Sequence, residues 1–177
     1  MDWRLNRMHC WRITKYDPAY RDYEGNFKKE EWTSFSDIGR VFGGKQFTIT
    51  EYLSIESKYI SAVTILMDYM NVSSLEISNL EKFEDSIVQN QYVTRNMVEM
   101  FTTIKDGDKF NVTNIPDLCK LILREHSWGK LSTSSMFVHF GYDFYMYIGL
   151  QKECRLGLNE IRESGLFIEA FTSPYLI

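Results

Sequence analysis

A chain of 177 residues buries about 70% of its unfolded surface on folding, so it needs neither a metal nor a disulfide framework to hold a core. Its net charge of −4, with 20 Lys and Arg against 24 Asp and Glu, excludes a general nucleic-acid binder, which must replace condensed counterions with clustered basic side chains. Apolar (44%) and charged (25%) residues are at globular averages and three prolines leave no linker, so one domain over residues 1–177 is expected; aromatics, at 15%, are the excess.

In chain order, His9 to Tyr16 is rich in β-branched and aromatic residues and closes on "YDP", the pattern of a strand ending in a turn. Tyr20 to Lys29, with Gly25-Asn26 at its middle, reads as an exposed loop, and Gly43-Gly44 as a turn that sets up a helix. Thr48 and Glu51 form a capping-box pattern, and Tyr52, Ile55, Tyr59, Val63, Leu66 and Met70 recur at helical spacing, which predicts the central helix over Ile49 to Met70. "SSLEISNLEK" alternates like a strand, and Phe83 to Lys105 is expected to be a short helix followed by a strand. "KDGDKF" is a turn, and "NIPDLCKLILREH" a helix of about three turns behind Asn114. "MFVHFGYDFYMYIG" predicts a β-hairpin turning at Gly141-Tyr142-Asp143, followed by a helix near Leu156 to Glu163 that stops at Gly165, and a last strand in "LFIEAF". Helices between strands without regular alternation predict an α+β fold, a mostly antiparallel sheet with helices packed on one face.

Catalytic patterns are sparse. His9, His126 and His139 are the only histidines; no nucleophile elbow, phosphate loop or spaced His/Cys metal pattern accompanies them, so neither a metal nor a cofactor is expected. Cys10, Cys119 and Cys154 are odd in number and far apart, which suits a reducing compartment. No apolar run follows Arg4, Arg7 and Arg12 as a signal peptide requires, and no window reaches the length of a membrane span, so a cytoplasmic protein is expected. Residues 1–7 read as an N-terminal extension, with Met8 as an alternative start.

Two surfaces remain as binding candidates. In the hairpin, Val138, Phe140, Met146 and Ile148 are expected to face the helices, which sends Phe137, His139, Tyr145 and Tyr147 to the opposite face. That stripe is either covered by the N-terminal segment or offered to a partner. In "RDYEGNFKKEEWTSFSDIG" and the residues before it, Asp17, Asp22, Glu24, Glu31 and Asp37 form an acidic rim with Arg21 beside the aromatic anchor Trp32, a combination that suits a basic target.

The segments "WRITKYDPAYRD", Gly25–Phe27, "EEWTSFSDIG" and "GLFIEAFTSPYL" resemble stretches of small uncharacterised proteins of Gram-positive bacteria. In size, acidity and lack of a catalytic motif the chain is similar in style to toxin-immunity proteins. The resemblance implies an immunity-type inhibitor that neutralises a toxin partner, and it carries no catalytic residues with it. The alternative is a small-molecule or nucleotide-processing enzyme with His139 and Asp143 at its site and Tyr145 as proton donor or ligand contact. A third reading is a homo-oligomer joined through the aromatic sheet face.

Overall fold

Thr48 and Glu51 do form a reciprocal capping box, and from it runs the longest helix, α1 (Ile49–Tyr69), of a computed structural model that describes residues 8–88 and 91–176. Around it, in chain order, lie strands β1 (His9–Thr14), β2 (Val41–Phe42) and β3 (Lys45–Gln46) before the helix. After it come β4 (Ser74–Lys82), helices α2 (Glu84–Val88) and α3 (Arg95–Thr103), β5 (Lys109–Asn111), α4 (Ile115–Leu123), β6 (Ser127–Ser132), β7 (Met136–Phe140), β8 (Met146–Leu150), α5 (Arg155–Glu163) and β9 (Phe167–Ala170). Seven strands form one sheet in the order β5-β4-β6-β7-β8-β1-β9, and every neighbouring pair is antiparallel. β2 and β3 make a small separate hairpin. The α+β class and the antiparallel sheet are as the sequence predicts.

The helices lie on one face of this sheet. Tyr59, Val63 and Leu66 of α1, Leu118 and Ile122 of α4, and Leu158 and Ile161 of α5 share one buried cluster with Ile13, Leu75, Ile77, Leu131, Val138, Met146 and Ile148 of the strands. A smaller cluster of Ile87, Met97, Phe101 and Leu121 seats α3 on α4. Burial of such side chains, worth roughly 1.5–3 kcal/mol each, is what holds the layers together. Among the described residues no helix is long and apolar enough to cross a membrane.

The second half of Phe83 to Lys105 departs from expectation: α3 stands where a strand was predicted. Thr94 accepts a hydrogen bond from the Met97 N–H at 3.3 Å as N-cap, and Met97 and Phe101, four residues apart, are both buried, so capping and the 3.6-residue period prevail over the β-formers Tyr92 and Val93. Asn114 caps α4 only by position, with no side-chain hydrogen bond. The strands β5 and β6 were not predicted. β6 is central, yet the residues it buries alternately are Ser127, Gly129 and Leu131. Gly129 is required there, because a Cβ would stand 2.8 Å from the side chain of Ile77 on the neighbouring strand.

The opposite sheet face is aromatic and, among the described residues, is covered from two sides: Arg12, Tyr16 and Arg21 lie over Tyr145, as expected of the N-terminal segment, and the C-terminal residues 171–175 cover the rest. Phe171 and Tyr175 lie 5.8 and 5.9 Å from the Tyr147 ring, and Tyr175 also packs on Trp128 at 5.7 Å. Phe137 needs a glycine opposite it: a Cβ on Gly149, its cross-strand partner, would sit 1.9 Å from the Phe137 ring.

Candidate functional site

The loop after β1 is folded back on itself, and most of its predicted acidic rim is engaged internally. Asp17 caps a short turn by accepting from the Ala19 N–H at 2.9 Å. Asp22 accepts from the N–H groups of Glu24 and Asn26 and pairs with Lys28 at 2.6 Å, which holds its carboxyl down to about 2. Glu24 accepts from the Asn26 side chain, and Glu31 pairs with Lys15 at 3.0 Å. Asp37 is buried; burial alone would raise it, but the N–H groups of Thr33 and Ser34 and the Arg40 guanidinium overcome that and leave its pKa lowered. Trp32 stacks on Phe47 at 4.4 Å, meets Phe144 edge-on at 5.0 Å and carries the Lys15 ammonium 4.2 Å over its ring. This is a joint between the loop and the core.

The aromatic strip is likewise built into the fold. His139 is buried, stacked on Phe137 at 4.5 Å, with Nδ1 2.8 Å from Ser173 Oγ. Desolvation, reinforced by Lys130 directly across the strand pair, pushes its pKa down to about 4, so it is neutral at physiological pH. Tyr147 is buried under Phe171 and Tyr175. Arg21 donates to the Tyr145 hydroxyl at 3.1 Å and shares Glu169 with Arg12, whose guanidinium lies 4.4 Å over the Phe171 ring.

At the turn of the β7–β8 hairpin these parts leave a cleft of about 430 Å³. It is lined by Phe83, Trp128, Phe140, Tyr142, Phe144, Tyr145 and Tyr175, by the hydroxyl residues Thr33, Ser34 and Ser127, and by three carboxylates, Glu81, Glu125 and Asp143. Among the described residues no Lys, Arg or His lines it, and none of the three carboxylates has an ion-pair partner. Partial burial raises the Glu125 pKa against the hydrogen bonds it receives from Ser36. Ser127 is 1% exposed and, among the described residues, its Oγ has no hydrogen-bond partner, which is uncommon for a buried hydroxyl.

The backbone around this cleft is strained as well. Glu125, Asp143 and Phe144 all have positive φ, at 61°, 59° and 59°, a region that costs non-glycine residues on the order of 1–3 kcal/mol each. Two tyrosine hydroxyls clamp the turn: Tyr16 donates to the Asp143 carbonyl and Tyr59 to the Phe144 carbonyl, both at 2.7 Å. Phe144 is thereby buried between Trp32, Tyr52 and Tyr59 while Tyr142 stands 84% exposed on the rim. On the far side, β4 bulges between Ser78 and Glu81, at the positive-φ residue Asn79, and sets Glu81 opposite Trp128.

The structure therefore brings together Asp143 and Tyr145 of the predicted residues and adds Glu81, Glu125, Trp128 and Tyr175, which sequence reasoning missed. His139 does not line this cleft, so it and Asp143 do not share one opening. Among the described residues no three His, Cys, Asp or Glu side chains are grouped to hold a metal ion. No family model, curated protein or solved structure matches the chain.

Proposed function

We propose that this chain is a binding protein of the immunity type, which engages a basic protein partner, such as a secreted toxin, by seating a cationic side chain in the cleft at the β7–β8 turn. The observation that carries this reading is the lining: three carboxylates with no counter-charge among the described residues, beside seven aromatic residues. Carboxylates in an indented, partly apolar setting attract a cation more strongly than exposed ones, and aromatic faces add cation–π attraction once the cation is desolvated. An acidic ligand would meet repulsion from the same carboxylates, and a neutral one would gain no charge attraction from them. The loop before it, with Asp22, Glu24 and Glu31 paired internally, contributes rigidity rather than the main contact.

Calorimetric titration with N-acetyl-arginine amide and, in parallel, N-acetyl-glutamate amide tests the charge preference. The arginine probe is expected to bind saturably, to weaken as salt is raised, and to lose two- to fivefold in affinity for each of Glu81→Gln and Asp143→Asn, about what one partly screened charge contributes. Equal binding of both probes, or no saturable binding of either, would overturn the reading.

A further inference from the structure

The cleft does not end at Glu125. A second, broader depression of about 590 Å³ begins there, and its walls continue three stretches of chain from the first: Phe35, Ser36 and Ile38 follow Thr33 and Ser34, Asp85 and Ser86 follow Glu81 and Phe83, and Arg124 to His126 interleave with the floor of the first, while Gln91 and Tyr92 also line it. Glu125 lines both and forms the saddle between them. We infer that the two clefts are one trough, and that its occupant is an extended, basic polypeptide segment of the partner protein. This rests on the binding reading above and names the form in which the partner is recognised.

The electrostatics continue across the saddle. Asp85 and Glu125 are the carboxylates of the second cleft. The cation that lines it, Arg124, is buried and neutralised by a two-pronged pair with Glu56, its Nε and Nη2 at 2.7 and 2.6 Å from the two carboxylate oxygens, while Nη1 donates to the Tyr92 carbonyl. The trough is acidic along its length, complementary to a segment with two spaced cations.

Hydrogen bonding points to a polypeptide rather than to two separate small cations. The adjacent residues His126 and Ser127 line the second and the first cleft respectively, each is 1% exposed, and each keeps one polar atom, Nε2 and Oγ, buried without a partner among the described residues. The Ser86 hydroxyl has one proton, directed to the Phe83 carbonyl at 2.6 Å, so at its 2.9 Å contact it accepts from His126 Nδ1. That leaves Nε2 of the neutral ring as a bare acceptor. An acceptor and a hydroxyl one residue apart, on opposite sides of the saddle, match the N–H and C=O groups a peptide backbone offers at every residue. Both atoms are closed off from the trough, so occupancy is expected to open the floor over His126 Nε2 and to turn Ser127 Oγ out of it by rotation about a single side-chain bond.

The test compares one cation with two joined by backbone. A peptide acetyl-Gly-Arg-Gly-Gly-Arg-Gly-amide is expected to bind about tenfold or more tighter than N-acetyl-arginine amide, since the second cation arrives tethered. In amide NMR spectra it should move resonances in both clefts, including Ser36 and Ser86, whereas the single arginine moves those around Glu81, Asp143 and Trp128. Asp85→Lys, at an exposed position, should remove the advantage of the peptide and leave the affinity for the single arginine unchanged. If the peptide binds no tighter than arginine amide, or if Asp85→Lys weakens neither, the trough is overturned while the cationic cleft stands. If neither probe binds, the binding reading itself fails. The thermal midpoint of Asp85→Lys, expected to match the parent, checks that the fold is intact.

Discussion

Acidification reads the burial of His139 directly. Its neutral ring is held between Phe137 and Tyr175 with Nδ1 on Ser173, and its pKa, usually near 6.5, is pushed down to about 4. Because the folded value lies below the unfolded one, the unfolded chain takes up the proton first as pH falls. The contribution is therefore complete above about pH 6.5, lost progressively between about 6.5 and about 4, and constant below. Two to three pH units of difference correspond to about 3 kcal/mol, a large part of a domain's net stability. Urea unfolding at pH 7.5, 6, 5 and 4 measures this, and His139→Phe, which keeps a ring on Phe137 but cannot titrate, subtracts the acid slope due to carboxylates. The parent is expected to lose about 3 kcal/mol more than the variant over that range. Parallel curves for the two, or an NMR titration of the His139 ring centred near 6.5, would refute the reasoning.

Two substitutions elsewhere separate structural from binding roles. Trp32→Ala removes the ring between Phe47 and Phe144, and the unfolding free energy is expected to fall by about 3–5 kcal/mol, with the affinity for N-acetyl-arginine amide changed less than threefold in the folded fraction. Glu56→Gln leaves the buried Arg124 guanidinium without a charge partner and should cost about 3–5 kcal/mol, whereas the double change Glu56→Leu with Arg124→Met should recover most of that loss in denaturant titrations.

Much of the scaffold was legible because local and long-range signals agreed. The α1 capping box, the Asp-Gly turn with Gly107 at φ 87° and the facing of Val138, Phe140, Met146 and Ile148 all followed from periods and turn chemistry. β6 was illegible because its inward positions, Ser127 and Gly129, are small: tight packing on Ile77 removes the apolar alternation by which a strand is recognised. The cleft was harder still. Glu81, Glu125 and Asp143 come from a bulged strand, a helix-to-strand turn and a hairpin turn, so only tertiary folding brings them together. Asp22, Glu24 and Glu31 drew attention instead because sequence shows charge but not the Lys15, Asn26 and Lys28 partners that engage it.

The position of β1 between β8 and β9 has a consequence for synthesis. Ile13 pairs with Met146, and Arg12 clasps Glu169 across a separation of 157 residues, so the first of the described strands is among the last to find its neighbours. At roughly 5–20 residues per second, β1 waits on the order of ten seconds outside the ribosome with Trp11 and Ile13 uncovered. During that interval its two unpaired edges are open to other nascent chains and to chaperones. Folding is therefore gated by the arrival of β8 rather than by helix formation, and ribosome-stalled chains ending before Met146 should remain sensitive to protease throughout residues 9–14.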